Sequence, residues 1–325
     1  MTDTTAPAAS HSRLEHLPVT FHAILMGLFG LTLALRAASH AHSWAEPLAQ
    51  GMLWVGIAAF AAIALVYLTK VLRYPSAVVA EWHHPVKLAF FPTISISLLL
   101  MATAMNTDFP AIARIFWVIG TVLQGVLTLS VIHSWISHRA FEVGHLNPAW
   151  FIPAVGNIIV PVAGAQMGYT DISWLFFSAG LIFWIVLLVL VFNRLIFHNP
   201  LPGKLLPTML ILIAPPAVGF VSYFRLVGEV DTFGILLVNM GYVFAALVFM
   251  ELPKLAKLPF ALSWWALSFP LAALSISSFL YGAQTGSTVH DAIGLIVLGV
   301  LVLVVAGLIL RTALAIGRGE ICVPE

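Results

Sequence analysis

Residues 206–227 read LPTMLILIAPPAVGFVSYFRLV, an apolar run that meets its first charge only at Arg225 and carries two adjacent prolines, Pro215 and Pro216, near its middle. A helical run of this length crosses about 30 Å of hydrocarbon at 1.5 Å per residue. Proline at that depth frees backbone groups, and irregular backbone is tolerated there only inside protein or beside a water-filled cavity. The stretch therefore predicts a membrane helix that faces other helices or an aqueous path.

Working outward, the same texture recurs along the whole chain. The 325 residues are 61% hydrophobic and 8% charged, against roughly 45–50% and about 25% in soluble domains. That composition excludes a soluble globular enzyme. Polar punctuation marks off ten apolar spans, near 19–38, 48–70, 86–105, 111–135, 149–167, 172–196, 206–227, 233–252, 261–281 and 289–314. The expected organisation is an N-terminal segment 1–17, a transmembrane domain 18–316 and a tail 317–325. With the N-terminus cytoplasmic, Arg13, Lys70, Arg73, Lys87, Arg139, Arg194, Lys204, Lys254, Lys257, Arg311 and Arg318 fall inside, and only Arg36, Arg114 and Arg225 fall outside. This bias follows the positive-inside rule and puts both termini in the cytoplasm. Trp44, Trp82, Trp135, Trp150, Trp174, Trp264 and Trp265 fall near span ends and are expected as interfacial anchors. A net charge of +1 gives no field for nucleic acid, and the single cysteine, Cys322, gives no disulfide framework. There is no phosphate-binding glycine loop, because Gly203-Lys204 lacks the earlier glycine and the following hydroxyl, so no nucleotide motor is expected in this chain.

Proline is partitioned between alternate spans. Pro92 lies in the third, Pro153 and Pro161 in the fifth, Pro207, Pro215 and Pro216 in the seventh and Pro270 in the ninth, while the even spans have none in their interiors. With Gly30 as the first-span counterpart, the series Gly30, Pro92, Pro153, Pro215, Pro270 steps by 62, 61, 62 and 55 residues. A period near 60 predicts five repeats of one helical hairpin. The odd spans would form an inner ring, kinked at those five positions and lining a central pore, with carbonyls such as those of Leu88 and Ala266 losing their usual partners. The same spans carry most of the small and hydroxyl residues. Close packing explains most of these, with a minority expected to face the lumen. No Asp, Glu, Lys or Arg lies near the middle of any span. Proton relays and ion-coupled carriers usually need such groups, so a passive pathway is the better expectation.

Every odd helix would start on the cytoplasmic side, so five positive dipole ends, together with Lys87 on the third span, make that mouth favourable to anions. Neutral walls beyond it would bind an anion weakly, as conduction requires. Phe269 precedes the ninth span's interior proline and stands among Ser268, Ala272 and Ala273, where a ring has room to swing. The twelve histidines form no metal-ligand pair at helical spacing, so no metal and no cofactor is expected. The histidines are expected as interfacial or loop residues, and His22, early in the first inner span, is the one to test for a pH effect on conduction.

Four stretches carry a family resemblance: Trp82-His83-His84-Pro85-Val86-Lys87, Asn147-Pro148-Ala149-Trp150-Phe151-Ile152-Pro153-Ala154-Val155, Gly228-Glu229-Val230-Asp231-Thr232 and Trp264-Trp265-Ala266-Leu267-Ser268-Phe269-Pro270. They look like the bacterial TehA and plant slow-anion-channel family, also called the tellurite-resistance and dicarboxylate-transporter family, and the resemblance runs through essentially the whole chain. It implies a homotrimer in a bacterial inner membrane, each subunit having its own pore within five tilted hairpins in quasi-fivefold order. It also implies a phenylalanine gate at Phe269 and proline-kinked inner helices at Pro92, Pro153, Pro215 and Pro270. Around Gly156 and Asn157 the spacing is one residue shorter than in that pattern, which leaves the face shown by Asn157 open. Two functions remain: a gated channel for small monovalent anions such as chloride or nitrate, and a proton-coupled carrier of C4-dicarboxylates or other small organic anions. Neither is an enzyme.

Overall fold

Hydrocarbon offers backbone groups no hydrogen-bond partner, so a chain this apolar must satisfy them within helices. The computed structural model describes residues 12–137 and 141–323, and among them every regular element is helical. Arg139, His138 and most of the expected N-terminal segment 1–17 lie outside the described residues. Nine helical stretches among them are long and apolar enough to cross a membrane: Val19–Ser39, Ala45–Arg73, Lys87–Met105, Pro110–Ser137, Thr170–Phe197, Gly203–Val227, Thr232–Phe249, Leu262–Thr285 and Thr288–Arg318. The tenth expected span is not one long helix. Pro148–Gly164 is a stack of short pieces, 3-10 at Pro148–Trp150, α at Phe151–Val155, 3-10 at Gly156–Ile159 and α at Val160–Gly164. Pro153 and Pro161 each fall in the first turn of a new α piece, where the missing N–H costs nothing. Numbered in chain order, this broken stretch is the fifth of ten segments.

Burial separates odd from even. In the most apolar window of the first, third, seventh and ninth segments 78, 89, 89 and 67% of residues are buried, against 17, 33, 28, 39 and 33% in the second, fourth, sixth, eighth and tenth. In the fifth, every residue from Pro148 to Pro161 is buried. Each odd segment packs against the even segment that follows it. The odd segments also touch one another in a closed circuit, first to third, third to fifth, fifth to seventh, seventh to ninth and ninth back to first. The close approach of the first and ninth depends on Gly27 and Gly30. A methyl at Gly27 would sit 2.5 Å from Ser268 Oγ and 2.9 Å from the Trp265 ring.

The odd segments share one local construction. Each opens as a 3-10 helix, at Val19–Phe21, Lys87–Phe90, Pro148–Trp150, Gly203–Ile213 and Leu262–Leu267, and continues as an α-helix. Pro92 caps the α part at Thr93, Pro215 is the second residue of Ala214–Val227 and Pro270 the third of Ser268–Thr285. The prolines thus stand in first turns and do not kink a continuous α-helix. The Leu88 carbonyl, expected to lose its partner, accepts instead from Phe91 N at 3.3 Å in the three-residue pattern. The eleven residues of Gly203–Ile213 make an unusually long 3-10 run, since such helices rarely exceed three or four residues.

At the far end of the seventh segment Gly228, at φ +87°, closes the helix in a left-handed turn. Asp231 caps the eighth by accepting from Gly234 N at 2.9 Å and also accepts from the Tyr223 hydroxyl at 2.6 Å. The Tyr223 bond, then the Gly234 amide, hold this carboxyl below the usual carboxylate range. The tryptophans divide: Trp44 and Trp174 are exposed as anchors should be, but Trp150 and Trp265 are buried in the protein. Trp150 stacks on Trp135 at 4.3 Å between centroids, and Trp265 donates to Thr312 Oγ1 at 3.0 Å.

Candidate functional site

The α-helical starts of the odd segments converge on a cavity of about 40 Å³. All five contribute to its wall: Met26 from the first, Ile96 from the third, Phe151 through Ile159 in part from the fifth, Ile211, Ala214, Pro215 and Val218 from the seventh, and Phe269 from the ninth. Among the described residues no even segment reaches it, and no ionisable or hydroxyl side chain lines it. Space for one water takes roughly 10–15 Å³ on this measure, so the cavity holds a few water-sized spheres and no hydrated ion. A bare ion would meet a desolvation cost on the order of tens of kcal/mol. The cavity in this conformation is therefore too small for a hydrated ion.

Phe269 and Pro215 are the two expected site residues in the wall. Gly30 stands directly behind the ring: a methyl there would lie 3.5 Å from Phe269 Cδ2 and 3.0 Å from Ala272 Cβ. Pro92 and Pro153 are set back from the wall and serve through their carbonyls. Pro92 accepts from Ser95 Oγ and Ile96 N, both at 2.9 Å, and Pro153 from Thr128 Oγ1 at 2.8 Å and Gln124 Nε2 at 3.2 Å. Pro270 follows Phe269 in the first helical turn without lining the cavity. Lys87 opens the third segment and is half-buried at its end, away from the cavity.

Several hydroxyls of the odd segments serve packing, as expected of most of them. Ser95 donates to Gln124 Oε1 at 2.7 Å, Ser275 to the Gly294 carbonyl at 3.0 Å, and Ser278 pairs with Tyr242 at 2.9 Å, so these side chains bind odd segments to even ones. Asn157 also faces outward, accepting from Thr128 Oγ1 at 3.2 Å and donating to the Ala154 carbonyl at 2.7 Å. Gln124 is the centre of this network, fully buried on an even segment. A lone amide in an apolar span is the one signal in the sequence that could have found it.

A second group is invisible in the sequence. Lys70 at the end of the second segment is buried and pairs at 2.8 Å with Glu81 from the short helix Pro75–His83. Glu81 also accepts from Val19 N and Tyr67 Oη, both at 3.2 Å, while Lys70 Nζ donates to the Leu17 carbonyl at 2.7 Å. His22 packs edge-on against Tyr67 with centroids 5.0 Å apart. The pair locks the N-terminal turns of the first segment to the second, and removes Lys70 from the free charge of that end. Lys254 and Arg318 are likewise paired, with Glu251 and Glu320, and at the opposite end Arg36 pairs with Asp108. Among the described residues no group of three His, Cys, Asp or Glu is placed to hold a metal.

A small apolar cavity lined by five buried helical segments, inside a chain whose described residues include nine membrane-length helices, defines a multi-pass membrane protein. Residues 16–313 match the family model described as voltage-dependent anion channel, and the chain belongs to that family. It is 30% identical over 271 residues to the tellurite resistance protein TehA homolog of Haemophilus influenzae, covering 82% of each chain. It is 28% identical to an uncharacterized transporter of Methanocaldococcus jannaschii, covering 75% of this chain and 78% of the relative. An S-type anion channel of Arabidopsis thaliana is 27% identical over 81% of this chain and 42% of its own length. The family is one of channels and transporters.

Proposed function

We propose that the chain is a passive anion channel whose path runs through the central cavity and is closed by the Phe269 ring. The observation that carries this reading is the composition of the wall: five segments meet there, all of them odd-numbered, and of the two aromatic rings in it, Phe151 and Phe269, the second stands beside the small residues Gly30 and Ala272. The ten segments are then five hairpins in quasi-fivefold order with the odd members around the pore, supported by the closed circuit of odd-to-odd contacts. The wall is neutral, so a permeating chloride or nitrate would be passed on and not trapped. Selection against cations falls to the end where the odd segments begin, through their helix dipoles and Lys87. Both termini on the cytoplasmic side of a prokaryotic plasma membrane, and assembly as a homotrimer, complete the reading. The first rests on the bias of the cations and the second on the family resemblance.

Planar-bilayer recording of purified Phe269→Ala, Phe269→Leu and wild-type protein tests the gate. Phe269→Ala should raise anion conductance at least tenfold over wild type, with Phe269→Leu between them. A folded Phe269→Ala protein that conducts no better than wild type contradicts the assignment.

A further inference from the structure

A second and much larger hollow lies on the outside of the ring, between the opening turns of the ninth segment and the tenth. Its volume is about 380 Å³, and its wall includes Phe260, Trp264, Leu303, Val304, Gly307 and Arg311. The two neighbouring tryptophans split across it. Trp265 is buried and tied to Thr312, whereas Trp264 turns its ring into the groove with its indole N–H on the Pro259 carbonyl at 3.1 Å. At Gly307 the floor is open, since a methyl added there would meet nothing within 4 Å.

The charge at the mouth is positive. The Arg311 guanidinium lies 5.5 Å from the centroid of the Phe260 ring, and among the described residues no carboxylate is within ion-pair distance of it. Lys257, exposed one residue before Leu258 of the groove, adds a second cation. Arginine over an aromatic face keeps its hydrogen-bonding edge free for an anion, and the planar guanidinium suits a phosphate. From Arg311 the groove runs along the tenth segment to Leu303, a rise of about 12 Å, most of the roughly 15 Å depth of one leaflet's hydrocarbon. Leu303 is 74% exposed on a segment that packs inward only by its other face.

We propose that this groove binds an anionic phospholipid, with the phosphate on Arg311, Lys257 beside it, and an acyl chain along Leu303, Val304 and Gly307. An apolar channel of leaflet depth that ends in an arginine with no carboxylate partner among the described residues matches both halves of such a lipid, and basic pockets between membrane helices are where acidic headgroups bind. The site is separate from the central cavity and does not depend on conduction.

The test uses full-length protein, delipidated in detergent, titrated with phosphatidylglycerol or phosphatidylcholine and read by native mass spectrometry and by thermal unfolding. Wild type should bind phosphatidylglycerol at least tenfold more tightly than phosphatidylcholine and gain thermal stability from it. Arg311→Gln should reduce that preference at least fivefold. Gly307→Leu, which fills open space, should weaken uptake of both lipids while the lipid-free protein unfolds at the wild-type temperature. Equal affinity of wild type for the two lipids overturns the proposal, and this arm needs no variant to fold. Unchanged lipid binding by both variants also overturns it. If either variant instead changes the oligomeric state in light scattering while lipid binding stays at the wild-type level, the groove is covered by a second copy of the chain, and the lipid site is wrong.

Discussion

Replacing Gly30 by valine should push on the Phe269 ring, and the geometry sets how hard. A β-carbon at position 30 would lie 3.0 Å from Ala272 Cβ and 3.5 Å from Phe269 Cδ2. Alanine therefore needs a shift of a few tenths of an ångström against Ala272. Its better helix propensity, worth roughly 0.5–1 kcal/mol over glycine, offsets that squeeze, so Gly30→Ala should be near neutral. Valine adds two γ-methyls about 1.5 Å further out, in the one rotamer that helices favour. With Ala272 and Phe269 as the nearest neighbours of the β-carbon, the strain is expected to fall on both and to cost about 1–3 kcal/mol. Deleting the ring should relieve it. A double-mutant cycle of Gly30→Val with Phe269→Ala, followed by thermal unfolding in detergent, should give a coupling of about 1 kcal/mol or more, with the double variant more stable than the sum of the singles. The same valine with Phe197→Ala, on the exposed face of the sixth segment, should be additive within about 0.5 kcal/mol. Additivity in the Gly30–Phe269 cycle would mean that the ring does not rest on the first segment, and the packing that holds it in the closed position would be wrong.

Three further outcomes follow from other parts of the structure. Glu81→Ala leaves Lys70 buried without its partner and should cost about 3–5 kcal/mol, while Lys70→Met with Glu81→Leu should recover most of it in the same unfolding assay. Gln124→Leu removes the amide that joins Ser95, Thr128 and the Pro153 carbonyl. It should cost about 1–3 kcal/mol, reduced because Ser95 keeps the Pro92 carbonyl and Pro153 keeps Thr128. Asp231 has its carboxyl depressed below the ordinary 3.8, so its stabilising contribution is full above that pH and is lost as pH falls through the lower folded value. Asp231→Asn, which keeps a capping oxygen but does not titrate, should flatten the acid limb of the unfolding temperature measured from about pH 5 to about pH 3.

Proline is the legible signal, because its effect on the backbone does not depend on which residues surround it. The split of Pro92, Pro153, Pro215 and Pro270 onto alternate apolar runs points to the inner segments, and burial separates the same segments from the outer ones. The local geometry at these residues is less legible. A proline between apolar residues reads equally as a kink or as the first turn of a new helix, and the 3-10 openings that decide the matter come from packing. The fifth segment shows the limit: hydropathy does not distinguish a continuous span from a stack of short helices. The serines fall on the expected segments, but which neighbour each one bonds is not legible, since a helix buried on all sides has no polar stripe in its sequence to orient it. Lys70 reads as one more cation at a helix end because its partner, Glu81, comes from a separate short helix, and nothing in the spacing announces the contact.

The central claim is that anions cross this protein passively, through a neutral path that Phe269 closes. Purified Phe269→Ala protein in planar bilayers, held under an asymmetric potassium chloride gradient and then under substitution of nitrate or sulfate for chloride, tests it most directly. The reversal potential should lie near that of chloride and should be unaffected by a pH difference across the membrane. Nitrate should carry at least as much current as chloride and sulfate less, because the path discriminates by dehydration and not by a tight site. Reversal near the potassium potential would contradict anion conduction. A requirement for a proton gradient, or saturation at micromolar chloride, would contradict the passive path and make this a carrier.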